Sequence, residues 1–269
     1  MSYETIVYEN EGPVGIIRLN RPERMNAVVE EMYRDLQDVL RQAQEDTATR
    51  ILVLTGSSFK KGDTLKQAFC AGADLKKHGT SERTFEDKKA YIELAHETCR
   101  KLYDFPKPVI ASINGPARGA GVEMAFCCDF IFMAENATLA FPEIGLGTCV
   151  GGGVTSHLPR MVGLTTAKEL IFTGRVIDGR SALEMGLALK CFPLENLLSE
   201  TLAFAREVAD KAPVSVKLVK AMLNDTSPRD IHGVLSAETD AILKCMKTDD
   251  WHEGVRSFSE KRKPVYKGR

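Results

Sequence analysis

The stretch Pro108-Val109-Ile110-Ala111-Ser112-Ile113-Asn114-Gly115-Pro116-Ala117-Arg118-Gly119-Ala120-Gly121-Val122-Glu123 decides the fold. Its first six residues form a short apolar run, the pattern of a strand covered on both faces in a parallel sheet. Small residues and a proline follow and break regular structure, and Gly119 to Cys127 suits a short helix. A buried strand, a glycine-rich loop and a helix in direct succession predict an α/β protein. Small residues let a ligand approach the backbone closely. The free N–H groups of a helix's first turn point outward and favour negative charge.

The flanking sequence agrees. Thr5–Tyr8 and Val14–Leu19 read as strands around a turn-like Asn10-Glu11-Gly12-Pro13. The spacing of Val28, Val29, Met32, Leu36, Val39 and Leu40 predicts a helix from Ala27 to about Glu45. Arg50–Gly56 reads as a buried strand, followed by a long polar loop from Ser57 to Gln67. A helix over 84–103 places Ile92, Leu94, Ala95, Cys99 and Leu102 on its apolar stripe, and Phe130–Met133 and Thr138–Ala140 read as strands. From about residue 153 helices alternate with short turns, at roughly 165–173, 179–186, 196–211, 213–224, 229–246 and 250–260. The expected organisation is an α/β core over 1–195 and a helical region over 196–269.

Composition narrows the class. Of 269 residues, 43% are hydrophobic and 27% charged, and 36 Lys+Arg against 37 Asp+Glu leave a net charge of −1. A disordered chain has less apolar content or more net charge, and a general nucleic-acid binder carries a basic surplus. Neither nucleic acid nor a membrane is therefore an expected partner: no apolar run approaches the roughly 20 residues of a membrane span. The start, Met-Ser-Tyr-Glu-Thr, resembles neither a secretory signal nor a transit peptide. Seven scattered cysteines without a C-x-x-C pair read as reduced thiols, so the expected location is cytoplasmic.

Most familiar motifs fail. The run from Gly119 lacks the last small residue of the dinucleotide fingerprint, and no glycine loop ends in Gly-Lys-Ser/Thr. His96-Glu97 has no second histidine at zinc-protease spacing, there is no G-x-S-x-G elbow, and His78, His157, His232 and His252 stand alone. Two loops survive: Phe69-Cys70-Ala71-Gly72-Ala73-Asp74-Leu75, and Asn114 to Glu123. Each alone also fits a tight turn at a strand–helix contact. Two outward N–H groups facing one point would make an oxyanion hole. Glu123, among Val122, Met124, Ala125 and Phe126, and Glu143, in Leu139-Ala140-Phe141-Pro142-Glu143-Ile144-Gly145, are carboxylates in apolar surroundings. Burial raises a carboxyl pKa and suits it to acid–base work. Either could be a structural glutamate; two beside such loops point to a paired acid and base.

Together with Ile17-Arg18-Leu19-Asn20-Arg21-Pro22-Glu23, Asn26-Ala27, Leu158-Pro159-Arg160, Phe172-Thr173-Gly174-Arg175, Ala182–Leu187 and Phe258–Pro264, these segments resemble the crotonase superfamily, the enoyl-CoA hydratase/isomerase family, over nearly the whole chain. The resemblance implies a crotonase-like α/β fold of repeated ββα units followed by a helical C-terminal region. It implies an acyl-CoA thioester substrate whose carbonyl oxygen lies between the Ala73 and Ala120 N–H groups. Glu123 matches the residue that activates water, Glu143 the one that exchanges the α-carbon proton, and Gly151 a water-positioning backbone. Ala71, Asp74, Leu75 and Lys76 match positions that touch adenosine, while Arg24, Lys261 and Lys263 match positions near the CoA phosphates. No metal or redox cofactor is expected, CoA being part of the substrate. A homotrimer or dimer of trimers is implied.

Retention of both glutamates favours an enoyl-CoA hydratase. An isomerase, or a hydratase of dienoyl or cyclic acyl-CoA, is the alternative, and a non-catalytic RNA- or protein-binding member the second. The chain departs from the resemblance at Val150 and Val154, which replace a proline and a glycine, and in the long 57–67 loop. The first two lie in the segment expected to face the acyl group.

Overall fold

The computed structural model describes residues 3–62, 64–79 and 83–269. Strands β1 (Ile6–Glu11) and β2 (Val14–Leu19) form an antiparallel hairpin, and a 3-10 turn at Pro22–Arg24 leads to helix α1 (Glu30–Glu45). Strand β3 (Ile51–Gly56) runs into a second hairpin, β4 (Ser58–Lys61) and β5 (Thr64–Gln67). Helices α2 (Leu75–Gly79) and α3 (Phe85–Tyr103) precede β6 (Val109–Ile113). Then come β7 (Ala117–Arg118), α4 (Ala120–Phe126), β8 (Phe130–Ala134) and β9 (Thr138–Ala140). Helices α5 (Val154–Val162) and α6 (Leu164–Thr173) are followed by β10 (Ile177–Asp178), α7 (Gly179–Glu184) and β11 (Lys190–Phe192). Four helices end the chain: α8 (Leu194–Ala209), α9 (Pro213–Asn224), α10 (Ile231–Met246) and α11 (Asp249–Ser259).

The strands make a six-stranded sheet in the order β1-β2-β3-β6-β8-β11, parallel from β2 onward, and a small sheet β10-β9-β7. Every residue of β3 and β6 is buried, as their unbroken apolar runs require of strands covered on both faces. Helix α1 buries Met32, Tyr33, Leu36, Val39, Leu40 and Ala43 against the sheet and α3. Helix α8 lies on the sheet too, with Leu197, Leu202 and Ala205 buried.

Several expectations change. Helix α1 begins at Glu30 rather than Ala27, because Val28 pairs with Ala73 in an isolated parallel bridge and Asn26 takes a left-handed backbone at φ 54°. The polar loop expected over 57–67, whose residue 63 lies outside the described residues, is the β4–β5 hairpin. It is held by ladder hydrogen bonds without apolar alternation and rests on the Pro22–Arg24 turn. Strands β7, β10 and β11 have only two or three residues each, too few for a period to register. On α3 the buried face is Ala95, Thr98, Cys99 and Leu102; Ile92 is exposed, and Thr98 is held by Gln37 at 2.9 Å.

Two buried asparagines join the carboxyl ends of the strands. The Asn26 side chain accepts from the Arg21 N–H at 2.9 Å and donates to the carbonyls of Ser57 and Ala68 at 3.0 and 2.9 Å. Asn114 exchanges two hydrogen bonds with the backbone of Gly56, continuing the β3–β6 pairing past its last rung. On the opposite end, Lys220 of α9 is buried, donating to Asp129 at 2.7 Å and to the Lys107 carbonyl at 3.0 Å. The chain's tail is held there as well: Arg50, before β3, donates to the Tyr266 carbonyl at 3.0 Å, and the buried Asp250 carboxylate accepts from Lys267 and Gly268 N–H groups. No helix among the described residues is long and apolar enough to cross a membrane.

Asn26→Ala leaves two carbonyls and one N–H without partners in a dry site. We expect it to lower stability by about 2–4 kcal/mol, read as a lower urea midpoint with an unchanged slope.

Candidate functional site

The first small-residue loop leaves β5 and is pinned at two bridges, Cys70 to Ala117 and Ala73 to Val28. The Gly72 carbonyl accepts from the Val28 N–H at 2.8 Å. The peptide joining Gly72 to Ala73 is trans, so the Ala73 N–H points the opposite way, off the bridge. The second loop repeats the device. The Gly119 carbonyl accepts from the Glu123 N–H at 2.9 Å inside α4, so the Ala120 N–H points out of the helix start.

The loops meet at two glycines. Gly72 has φ +87°, and a β-carbon on it would lie 2.9 Å from the Arg118 carbonyl oxygen. Gly119 has φ +48°; a β-carbon there would lie 3.0 Å from Glu143 Oε1 and 3.9 Å from the Gly72 Cα. Both backbones have positive φ; at Gly72 a β-carbon would press on backbone, and at Gly119 it would crowd the Glu143 carboxylate. The structure thus brings together the segments carrying Ala73, Ala120 and Glu143.

Glu123 is the fourth residue of α4, its neighbours Val122 and Met124 buried. Its carboxylate accepts from the Gly151 N–H at 2.7 Å. Burial raises its pKa, opposed by that hydrogen bond and by nearby His96. Glu143 follows β9 and is 6% exposed, and neither carboxylate oxygen has a hydrogen-bond partner among the described residues. Burial lifts its pKa as well, and the charge of Glu123 adds to the rise. Phe126 of α4 stacks on Phe141, two residues before Glu143, with centroids 5.9 Å apart. That contact ties the helix bearing one carboxylate to the segment bearing the other. Val154 is fully buried and Val150 half-buried against the core, so both departures from the expected loop are packing positions.

The remaining candidates divide. Asp74 pairs with Arg21 at 3.1 Å; burial works against its charge, but the Lys77 N–H and Arg21 hold the carboxyl below its usual range. Asp74 is therefore committed to joining its loop to the Pro22–Arg24 turn, where Arg24 is exposed and close enough to act on it electrostatically. Ala71, Leu75 and Lys76 are exposed around it. Lys261, at φ 53° just past α11, has no hydrogen bond or ion pair to these loops among the described residues, and the tail after it docks at the amino ends of the strands. Lys263 pairs with Asp210 at 2.6 Å. Among the histidines, His78's side chain lies outside the described ones, and His157 packs on Tyr103 with centroids 5.0 Å apart. His96 reaches the site, which motif tests did not foresee. The available signal was its place three residues before Cys99, on the inner edge of the stripe of α3.

A family model described as enoyl-CoA hydratase/isomerase matches residues 9–269. Among curated proteins, the crotonyl-CoA hydratase of Syntrophomonas wolfei is 36% identical over 263 residues, covering 98% of each chain. The short-chain-enoyl-CoA hydratase of Clostridium acetobutylicum is 35% identical, covering 98% of this chain and 97% of its own. Among solved structures, an enoyl-CoA hydratase from Bacillus anthracis superposes with a TM-score of 0.91 at 36% identity, over 98% of this chain and all of the other. The crotonase-like α/β fold that the resemblance implies is the one observed, and this chain belongs to the enoyl-CoA hydratase/isomerase family.

Proposed function

We propose that the protein is an enoyl-CoA hydratase, adding water across the 2,3 double bond of an enoyl-CoA thioester. The observation that carries this reading is the pair of buried carboxylates, Glu123 and Glu143, beside two loops whose N–H groups point outward. Likeness to relatives named for crotonyl-CoA and short-chain enoyl-CoA supports it and favours a short acyl chain. The thioester oxygen sits between the Ala73 and Ala120 N–H groups, which stabilise the enolate oxygen that develops during addition. Glu123, ionised and oriented by the Gly151 N–H, takes a proton from water as the hydroxyl adds to the β-carbon. The displaced π electrons move to the thioester oxygen. Glu143, protonated, then delivers its proton to the α-carbon. These carboxyls supply the acid–base chemistry from the chain itself, and CoA enters only as part of the substrate.

Ala71, Leu75 and Lys76 line the adenosine side in this reading, with Asp74 positioning their loop and Arg24 near the phosphates. Lys261 serves a phosphate only across a subunit boundary. A homotrimer or dimer of trimers fits the apolar side chains left open on the last helices, among them Leu223, 78% exposed, and Phe258, 86% exposed. A cytoplasmic location follows from the reduced cysteines and the bacterial relatives.

Incubation with 2-enoyl-, 3-enoyl- and cyclic dienoyl-CoA is expected to add one water to the 2-enoyl thioester, read by mass; a shifted double bond without mass gain would instead mark an isomerase. Glu123→Gln and Glu143→Gln should each lower hydration by about 10²-fold or more, while acyl-CoA binding measured by calorimetry persists. Ala120→Pro removes one N–H at a helix position that accepts proline and should cost about 10²–10³ in kcat with the circular dichroism spectrum retained.

The pH profile follows from the same groups. Activity needs Glu123 ionised, so it falls as pH drops through a value raised by burial. It needs Glu143 protonated, so it falls again as pH rises through that group's raised value. The bell of kcat/KM against pH should therefore stand above the ordinary carboxylate range, its limbs belonging to the coupled pair. An acid limb at the ordinary glutamate value would contradict these roles.

A further inference from the structure

Gly151 has a neighbour that the reaction above does not use. A β-carbon on Gly151 would lie 3.1 and 3.3 Å from the two carboxylate oxygens of Glu123 and 3.0 Å from His96 Nε2. Carboxylate and imidazole therefore converge on the same bare Cα, from α4 and from α3. Gly151 and His96 line a cavity of about 360 Å³ with Cys99, Arg100, Cys127, Thr155 and His157, and no residue of either small-residue loop, Glu123 included, is in its wall. His96, Arg100 and Thr155 are exposed, so it opens to solvent. The cavity brings water as far as Gly151 and the imidazole, and the Glu123 carboxylate lies against that same glycine.

We propose that His96 is a positioning residue for Glu123, holding its carboxylate through a bridging water beside Gly151. The inference rests on the hydratase reading, in which Glu123 is the base. The other groups that face Glu123 are Tyr33 of α1, Tyr91 and Cys99 of α3, Cys70 of the first loop, and Glu143. Each of these is neutral or negative, so the imidazole is the one among them that can bring positive charge. Arg100 lines the same cavity but is paired with Glu97, and His157 lies against Tyr103. The electrostatic effect of the imidazole on Glu123 is downward, against the rise from burial.

The test compares His96→Leu and His96→Gln in the full-length enzyme. His96→Leu should lower kcat about ten- to a hundredfold with KM nearly unchanged, and move the acid limb of the profile upward. His96→Gln should recover most of kcat, because an amide can still hold water, but leave the limb displaced. Carbon-13 titration of Glu123, assigned by the signal lost in Glu123→Gln, reads the same effect without turnover. The midpoint should rise in both His96 variants. A wild-type kcat and limb in His96→Leu, a change confined to KM, or an unmoved Glu123 midpoint would each overturn the proposal. If the wild-type enzyme adds no water to any enoyl-CoA, the hydratase reading fails, and the carbon-13 midpoint still decides the His96 contact.

Discussion

Two backbones come into contact at Gly72 and Gly119, and the arrangement of the site depends on that contact. A β-carbon at Gly72 would press on the Arg118 carbonyl and one at Gly119 would crowd Glu143, and both positions have a positive φ. The approach would be lost if the strands feeding it moved apart. Asn114 prevents this by extending the β3–β6 ladder onto Gly56, and Asn26 by clasping the carbonyls on either side of the β4–β5 hairpin. Both polar side chains are buried with their hydrogen-bonding capacity directed at backbone, so they specify one geometry rather than add general cohesion. The sheet acts as a frame whose carboxyl end delivers two peptide N–H groups with fixed directions.

The electrostatics follow from the same closeness. Two carboxyls share a poorly solvated region, and desolvation dominates both. They are not equivalent. Glu123 has a backbone donor and an imidazole nearby, while the Glu143 carboxylate has no hydrogen-bond partner among the described residues and only its own backbone N–H close enough to favour its charge. The two carboxyls thus differ in their surroundings, the kind of difference by which one of a pair can act as base and its neighbour as acid.

The parts of this arrangement that could be read beforehand are those with a period or an unbroken apolar run. The strands at 51–56 and 109–113, the stripe of α1 and the small-residue loops are of that kind. The two glutamates were visible because charge amid apolar neighbours has few explanations. Elements sustained by backbone pairing alone were not visible. The β4–β5 hairpin has one apolar residue on each strand, Phe59 and Leu65, and β7, β10 and β11 have only two or three residues each. On α3, Thr98 is buried because Gln37 on another helix satisfies it, a fact that no local window contains. His96 escaped for a related reason: its meaning comes from Gly151, fifty-five residues away. Where a residue's role depends on a distant segment, local spacing is silent.

The buried ion pair between Lys220 and Asp129 has a consequence for how the last helices are held. Asp129 also accepts from the Val109 N–H at 2.7 Å, so the lysine ammonium is clamped against the very start of β6. Apolar helix faces can slide over one another by a turn at modest penalty. Here a shift of one turn would leave an ammonium and a carboxylate both stranded away from water, a loss of several kcal/mol. The pair therefore works as a key in a lock: it adds little net adhesion, yet it admits α9 in a single register and so sets where the helices beyond it begin.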